Sequence, residues 1–232
     1  MGADFKPVIK LYNWSLKQLL GVRRTTANLV CYAESGYLPL PELLKIKQHK
    51  FFSKVYAERL NLNDDPLLFV INTIRTCNTP TGRLVNEYVT SAVKDSSAIM
   101  GDVHNQILLS NSSRCEVYKN INPSLSVHPV YKVKHNIKEF HRLSFTRFRV
   151  SGHNLGIETG RWNRRGRGRI PVEERLCECG SVQTEQHVMQ DCPKSLHTRN
   201  AYQCHSIEEL FSGYFSDELV CKIIHEILRL YL

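Results

Sequence analysis

The chain has 232 residues, with 31 Lys+Arg against 22 Asp+Glu and a formal net charge of +9. That length holds one large domain or two small ones, and a hydrophobic share of 42% excludes wholesale disorder. No apolar run reaches the roughly 20 residues a membrane-crossing helix needs, and Met1-Gly-Ala-Asp-Phe-Lys6 carries no secretory apolar segment. An intracellular location, nucleus and/or cytoplasm, with no membrane partner is therefore expected.

In chain order the pattern predicts a mainly α protein, a helical scaffold with a small Cys/His knuckle near its C-terminal end. Leu11, Trp14, Leu16, Leu19 and Leu20 mark an amphipathic helix ended by Gly21. Thr25 or Thr26 can cap a second helix carrying Leu29, Val30 and Tyr32, closed at Gly36. Pro41 then opens a long helix over 42–60. Asp65-Pro66 and Thr79-Pro80 repeat a cap-then-proline start and predict helices over 66–76 and 80–94. From 95 to 132 the clusters Ser-Ser, Asn-Ser-Ser and Asn-Pro-Ser, with Pro123 and Pro129, read as a linker or irregular connector. Helical character returns over 134–150. Ser206-Ile-Glu-Glu209 reads as a capping box, and Leu219, Ile223, Ile227 and Tyr231 line one face of a final helix over 216–231. The expected organisation is a helical region 1–94, a connector 95–132, a helix plus basic loop 133–176, the knuckle 177–193 and C-terminal helices 194–232.

Cys177, Cys179, His187 and Cys192 fall within sixteen residues and match the ligand set of a closed, structural zinc site. Cys177 and Cys179 suit a tight turn, with Gly180 free to take positive φ. His187 and Cys192 sit about one helical turn apart, behind Thr184 as cap, and His197 or Cys204 is near enough to replace a ligand. The deaminase signature His-x-Glu with Pro-Cys-x-x-Cys is absent, and so is His-Glu-x-x-His, so a catalytic zinc is not expected. The other cysteines (Cys31, Cys77, Cys115, Cys204 and Cys221) are scattered, as reduced thiols would be.

Residues 161–169 hold five arginines (Arg161, Arg164, Arg165, Arg167 and Arg169) together with Trp162. From Lys138 to Arg175 there are ten Lys/Arg against four Asp/Glu. Guanidinium groups fork onto phosphates and an indole stacks on bases, so RNA or single-stranded or nicked DNA is the expected partner. Arg142, Arg147 and Arg149 extend the same basic run.

Arg147-Phe-Arg-Val-Ser-Gly-His153, then Glu158, Arg161, Pro171, Arg175 and the Cys-x-Cys…His…Cys cluster, resembles the C-terminal, post-polymerase region of non-LTR (LINE-type) retrotransposon polyproteins. Leu20-Gly-Val-Arg-Arg-Thr-Thr-Ala-Asn28 and Glu34-Ser-Gly-Tyr-Leu-Pro-Leu40 are similar to the segment that follows the polymerase core in those proteins. The resemblance brackets residues 11–195. It implies Cys177, Cys179, His187 and Cys192 as zinc ligands, His153, Glu158 and Arg161 as matching positions without assigned roles, and nucleic-acid handling as the activity.

No aromatic-x-Asp-Asp motif is present, and the only Asp-Asp pair is Asp64-Asp65, so neither polymerase nor endonuclease catalysis is expected. The expected function is non-catalytic binding of nucleic acid through Arg147, Arg149, His153, Arg161, Trp162, Arg164, Arg165, Arg167 and Arg169. A protein-interaction or dimerisation module, a partner of a separate polymerase subunit and a non-functional transposon remnant stand beside it as alternatives.

Overall fold

The computed structural model describes residues 5–59, 66–90, 95–131, 137–161 and 168–232. Among these the protein is all helical apart from one isolated antiparallel bridge, Leu176 to Val182. None of these helices is long and apolar enough to cross a membrane. The chain divides into two compact units, Met1–Asn13 with Tyr37–Asn105, and Trp14–Gly36 with Gln106–Leu232. The expected boundary at residue 94 is thus replaced by one that assigns residues 14–36 to the C-terminal unit.

The first unit holds the start of α1 (Lys6–Leu20), α3 (Leu40–Arg59), α4 (Pro66–Thr76), α5 (Pro80–Thr90) and the first part of α6 (Ser96–Leu108). Its helix starts follow the cap-then-proline signals: Thr79 Oγ1 accepts the Gly82 N–H at 3.0 Å and opens α5. Asp64 and Asp65 lie outside the described residues. Two small apolar clusters hold the unit, Leu38 with Ile46 and Ile99, and Ile71 with Val85.

The second unit contains the end of α1 (Lys6–Leu20), α2 (Asn28–Ser35), α7 (Ser113–Ile121), α8 (Glu139–Arg149), α9 (Gly156–Thr159), α10 (Leu196–Tyr202), α11 (Ile207–Leu210) and α12 (Asp217–Arg229). Helix α1 buries Leu16, Lys17 and Leu20 and leaves Leu11, Trp14 and Leu19 exposed, so only part of the expected apolar set is buried. Lys17 tolerates burial because its ammonium donates to the Arg24 carbonyl at 2.9 Å. Helix α2 starts one residue later than a Thr26 cap allows: Ala27 is its N-cap and the Thr26 hydroxyl is buried without a partner. Gly36 ends it in the left-handed region, as expected.

The segment 95–132 is not an irregular connector. It forms α6 and α7 and contributes Ile99, Val103, Ile107, Tyr118, Ile121 and Leu125 as buried residues. The Ser-Ser and Asn-Ser-Ser clusters fall at the starts of α6 and α7, while Asn122-Pro-Ser124 does form a turn after α7. Asp95 Oδ1 accepts the Ala98 N–H at 2.7 Å.

Helix α12 packs on α8, and the main core forms around them from Phe145, Phe148, Leu155, Val188, Met189, Leu210, Ile223, Ile224 and Ile227. Each such side chain contributes about 1.5–3 kcal/mol on full burial. Ile223 and Ile227 are buried while Leu219 and Tyr231 pack at the margin, which is the expected face. Ser216 Oγ accepts the Leu219 N–H and caps α12. At α11, Ser206 Oγ accepts the Glu209 N–H, and Glu209 returns to the His205 N–H rather than to that of Ser206.

Candidate metal centre

Arg175 to Gln183 forms a tight reversal. The Cys177 N–H donates to the Ser181 carbonyl at 2.7 Å and the Gly180 N–H to the Cys177 carbonyl at 2.9 Å, with Gly180 at φ 90°. A side chain disfavours that φ, which explains the glycine immediately after Cys179. The reversal brings Cys177 and Cys179 to one side.

The other two candidate ligands come from a π-helical turn, His187–Asp191. At 100° per residue an ordinary α-helix would splay positions 187 and 192 roughly 140° apart. The wider turn closes instead with an i→i+5 bond, the Cys192 N–H to the His187 carbonyl at 2.9 Å. Thr184 Oγ1 accepts the His187 N–H at 3.0 Å and caps the turn as expected.

The four ligand atoms lie within 4.8 Å of one another. Cys177 Sγ is 3.7 Å from Cys192 Sγ, Cys192 Sγ is 4.0 Å from Cys179 Sγ, and Cys179 Sγ is 3.1 Å from His187 Nε2. The thiols are therefore gathered but not bonded as disulfides, whose sulfurs sit at about 2.05 Å. This is a group that can hold a metal ion. Burial raises the Cys177 thiol pKa, while the backbone of Ser181 lowers that of the exposed Cys179. His197 is exposed and Cys204 donates to the Ser206 carbonyl at 3.8 Å, so neither joins the group.

A shell of polar side chains fixes the two ligand-bearing turns. Arg199 donates to the carbonyls of Gln190 and Cys192, and Ser195 Oγ to those of Val188 and Cys192. Lys194 bridges to Glu178 at 3.0 Å and lies 5.4 Å from the Tyr231 ring centre. On the other side, Gln183 receives the backbone N–H groups of Gly156 and Ile157. Arg175 donates to the Ile157 and Ile170 carbonyls, and a Cβ on Gly160 would stand 2.6 Å from its side chain.

The remaining expected site residues separate into four groups. Arg149 and His153 are corrections, because each is only 2% exposed and cannot meet a strand from outside. Arg149 pairs with the buried Glu34 of α2. His153 Nδ1 accepts the Leu155 N–H, so its proton sits on Nε2 and is donated to Glu185 Oε1 at 2.8 Å. Arg161 is half-buried, with Nε on Glu158 at 2.7 Å and Nη2 on Ser113 at 2.6 Å. Glu158 also takes two bonds from Arg114, so His153, Glu158 and Arg161 have internal pairing roles.

Arg147 and Arg169 are exposed, and Arg147 Nε donates to the Gly21 carbonyl at 2.8 Å. Trp162, Arg164, Arg165 and Arg167 lie outside the described residues. Among the described residues on either side of them, the Ile170 N–H donates to the Gly160 carbonyl at 3.0 Å. Glu34, Glu185, Arg114 and Arg199 escape sequence reading, because their partners are distant in the chain or are backbone carbonyls.

Comparison of the chain with protein-family models, with curated proteins and with solved structures gives no match.

Proposed function

We propose that this protein is a zinc-stapled helical module that binds single-stranded or structured nucleic acid without catalysing a reaction on it. The observation that carries the reading is the Cys177–Cys179–His187–Cys192 group held one short segment away from an arginine-rich loop.

Zinc is the favoured metal because three thiolates and an imidazole are a borderline-soft tetrahedral set. A tetrahedron with Zn–S bonds of about 2.3 Å has S···S edges of roughly 3.8 Å, and the 3.7 and 4.0 Å separations fit it. The His187 Nε2 to Cys179 Sγ distance of 3.1 Å is shorter than the corresponding edge and opens on loading. All four positions would be filled by protein, so the ion supplies local folding free energy and no site for substrate.

Polyanion binding is supported by the net charge of +9 and by the concentration of arginine between Lys138 and Arg175. The resemblance of residues 147–192 to the post-polymerase region of LINE-type proteins points the same way. Arg164, Arg165, Arg167 and Arg169 would contact phosphates and Trp162 would stack on a base, giving an affinity that is mostly electrostatic.

The test is fluorescence anisotropy with labelled RNA and DNA strands across a salt series, beside zinc stoichiometry before and after chelation. One zinc per chain and a steep salt slope that shrinks in R164A/R165A/R167A are expected. Absence of binding at low salt overturns the reading.

A further inference from the structure

The second unit contains a cleft of 480 Å³ that the Cys/His group does not line. The turn after α1, the Phe140–Leu143–Ser144–Arg147 face of α8, residues 152–155 and the end of α12 with the residues after it line it. Arg23, Arg147 and Arg229 stand on three different walls, and no acidic side chain is among the lining residues.

Two of these cations are held in place by the fold. Arg147 Nε is fixed on the Gly21 carbonyl, and Arg23 Nη2 donates to Asn154 Oδ1. Glu139 pairs with Arg142, Glu185 receives His153 and Glu226 receives the Tyr202 hydroxyl, and none of the three lines the cleft. Guanidinium groups on several walls, with no carboxylate among the lining residues, favour an anion there.

The same cleft carries an aromatic platform. Phe140 is 48% exposed, its ring centre 4.8 Å from that of His225 and 4.5 Å from that of His141. The Lys138 ammonium lies 5.9 Å from the Phe140 ring centre. Ser144 Oγ and His225 Nδ1 are 2.9 Å apart, which holds the imidazole against the phenyl ring. A half-exposed phenyl ring in a cleft that also carries guanidinium groups is a pairing that can bind a base and its phosphates together. The volume falls within the roughly 300–1,000 Å³ that small-ligand sites occupy.

We infer that this cleft seats one nucleotide of a single-stranded nucleic acid, the base on Phe140 and the flanking phosphates on Arg23, Arg147 and Arg229. The inference rests on the nucleic-acid reading above and adds a contact made by residues other than the arginines of 161–169.

The test is anisotropy with fluorescein-labelled oligouridylate and oligodeoxythymidylate over a salt series, for the full chain and for Phe140→Ala, Arg229→Ala and R164A/R165A/R167A. Both cleft side chains are solvent-facing, and thermal melts confirm that the variants fold. Phe140→Ala should weaken binding roughly 5- to 100-fold with an unchanged salt slope. Arg229→Ala should lower the slope by about 0.7. Photocrosslinking with 4-thiouridine should label peptides from α8 and α12, which keeps the inference testable if a variant unfolds. Cleft variants that bind like the parent, with crosslinks confined to the 161–169 loop, overturn the inference and leave the broader reading standing. Failure of the parent chain to bind removes both.

Discussion

Glu34 and Arg149 lie 115 residues apart and form a bidentate ion pair, Nε to Oε1 at 2.6 Å and Nη2 to Oε2 at 3.0 Å. The Tyr118 and Tyr131 hydroxyls donate to the same carboxylate at 2.9 and 2.8 Å. The guanidinium carbon sits 5.4 Å from the Phe145 ring centre and 5.8 Å from that of Phe211. Burial alone would lower the Arg149 pKa, but the attraction of Glu34 outweighs it and holds the pKa above its ordinary value. The pair ties α2 to α8.

Breaking that pair from one side leaves a charge without a partner in the core. Glu34→Gln or Arg149→Met should each cost about 3–5 kcal/mol of stability, measured by urea unfolding. The double variant should cost clearly less than the sum, because it strands no charge. Arg149→Lys should also destabilise, since an ammonium cannot reproduce the fork. A cost below about 1 kcal/mol for both single variants would contradict the pairing, being what exposed ion pairs give.

Metal removal should act on folding. Structural zinc supplies on the order of 10 kcal/mol in comparable small sites. Chelation, or Cys192→Ser, should therefore release the turns that carry the ligands and loosen the end of α12, where Tyr231 lies beside Lys194. Substitution with cobalt should give the intense visible bands of a tetrahedral thiolate site. Weak bands of octahedral type would rule out the Cys₃His assignment.

How legible each feature was depended on how local it is. The four candidate ligands lie in one short segment, and thiols at that density are rare enough to be read directly. The proline-led helices α4 and α5 were readable for the same reason, because the signal is confined to two adjacent residues. Arg147 and Arg149 looked alike within a basic run, yet Phe145, Phe148 and Arg149 share one face at helical spacing and Arg147 does not. Period alone could have turned Arg149 inward. Its partner was unreadable, since nothing local marks Glu34 as the acid that meets it. Residues 95–132 misled because the serines and asparagines that cap helix ends are the same residues that build turns.

Thiol chemistry should separate the eight cysteines. Burial pushes the pKa values of Cys31 and Cys221 up to about 12 and that of Cys204 up to about 11, so all three stay protonated and shielded near neutrality. Cys77 is exposed. A maleimide added to the native, zinc-loaded chain should label Cys77 first, and chelation should then add Cys179 ahead of Cys177. Peptide mapping by mass spectrometry reads the order. Labelling of Cys31 as fast as Cys77 would show that the α2 face is not buried.

Acidification should weaken the contact between α8 and α12 before it touches the carboxylates. His141 and His225 have ring centres 5.0 Å apart. Burial lowers the pKa of both below 6.5; His225 and Lys138 lower that of His141 further, Arg229 lowers that of His225, and Glu226 opposes the shift at both. A histidine whose folded pKa is depressed binds its proton more readily when unfolded. Stability from these groups is therefore complete above the unfolded value near 6.5 and is lost as pH falls toward the folded values. Melting temperature should be level at about pH 7.5 and should drop by about pH 5.5. The double variant His141→Gln/His225→Gln should flatten the profile across that window while leaving the acid limb of the carboxylates below about pH 4.5 in place. A double variant that keeps the parent profile would assign the loss to other groups.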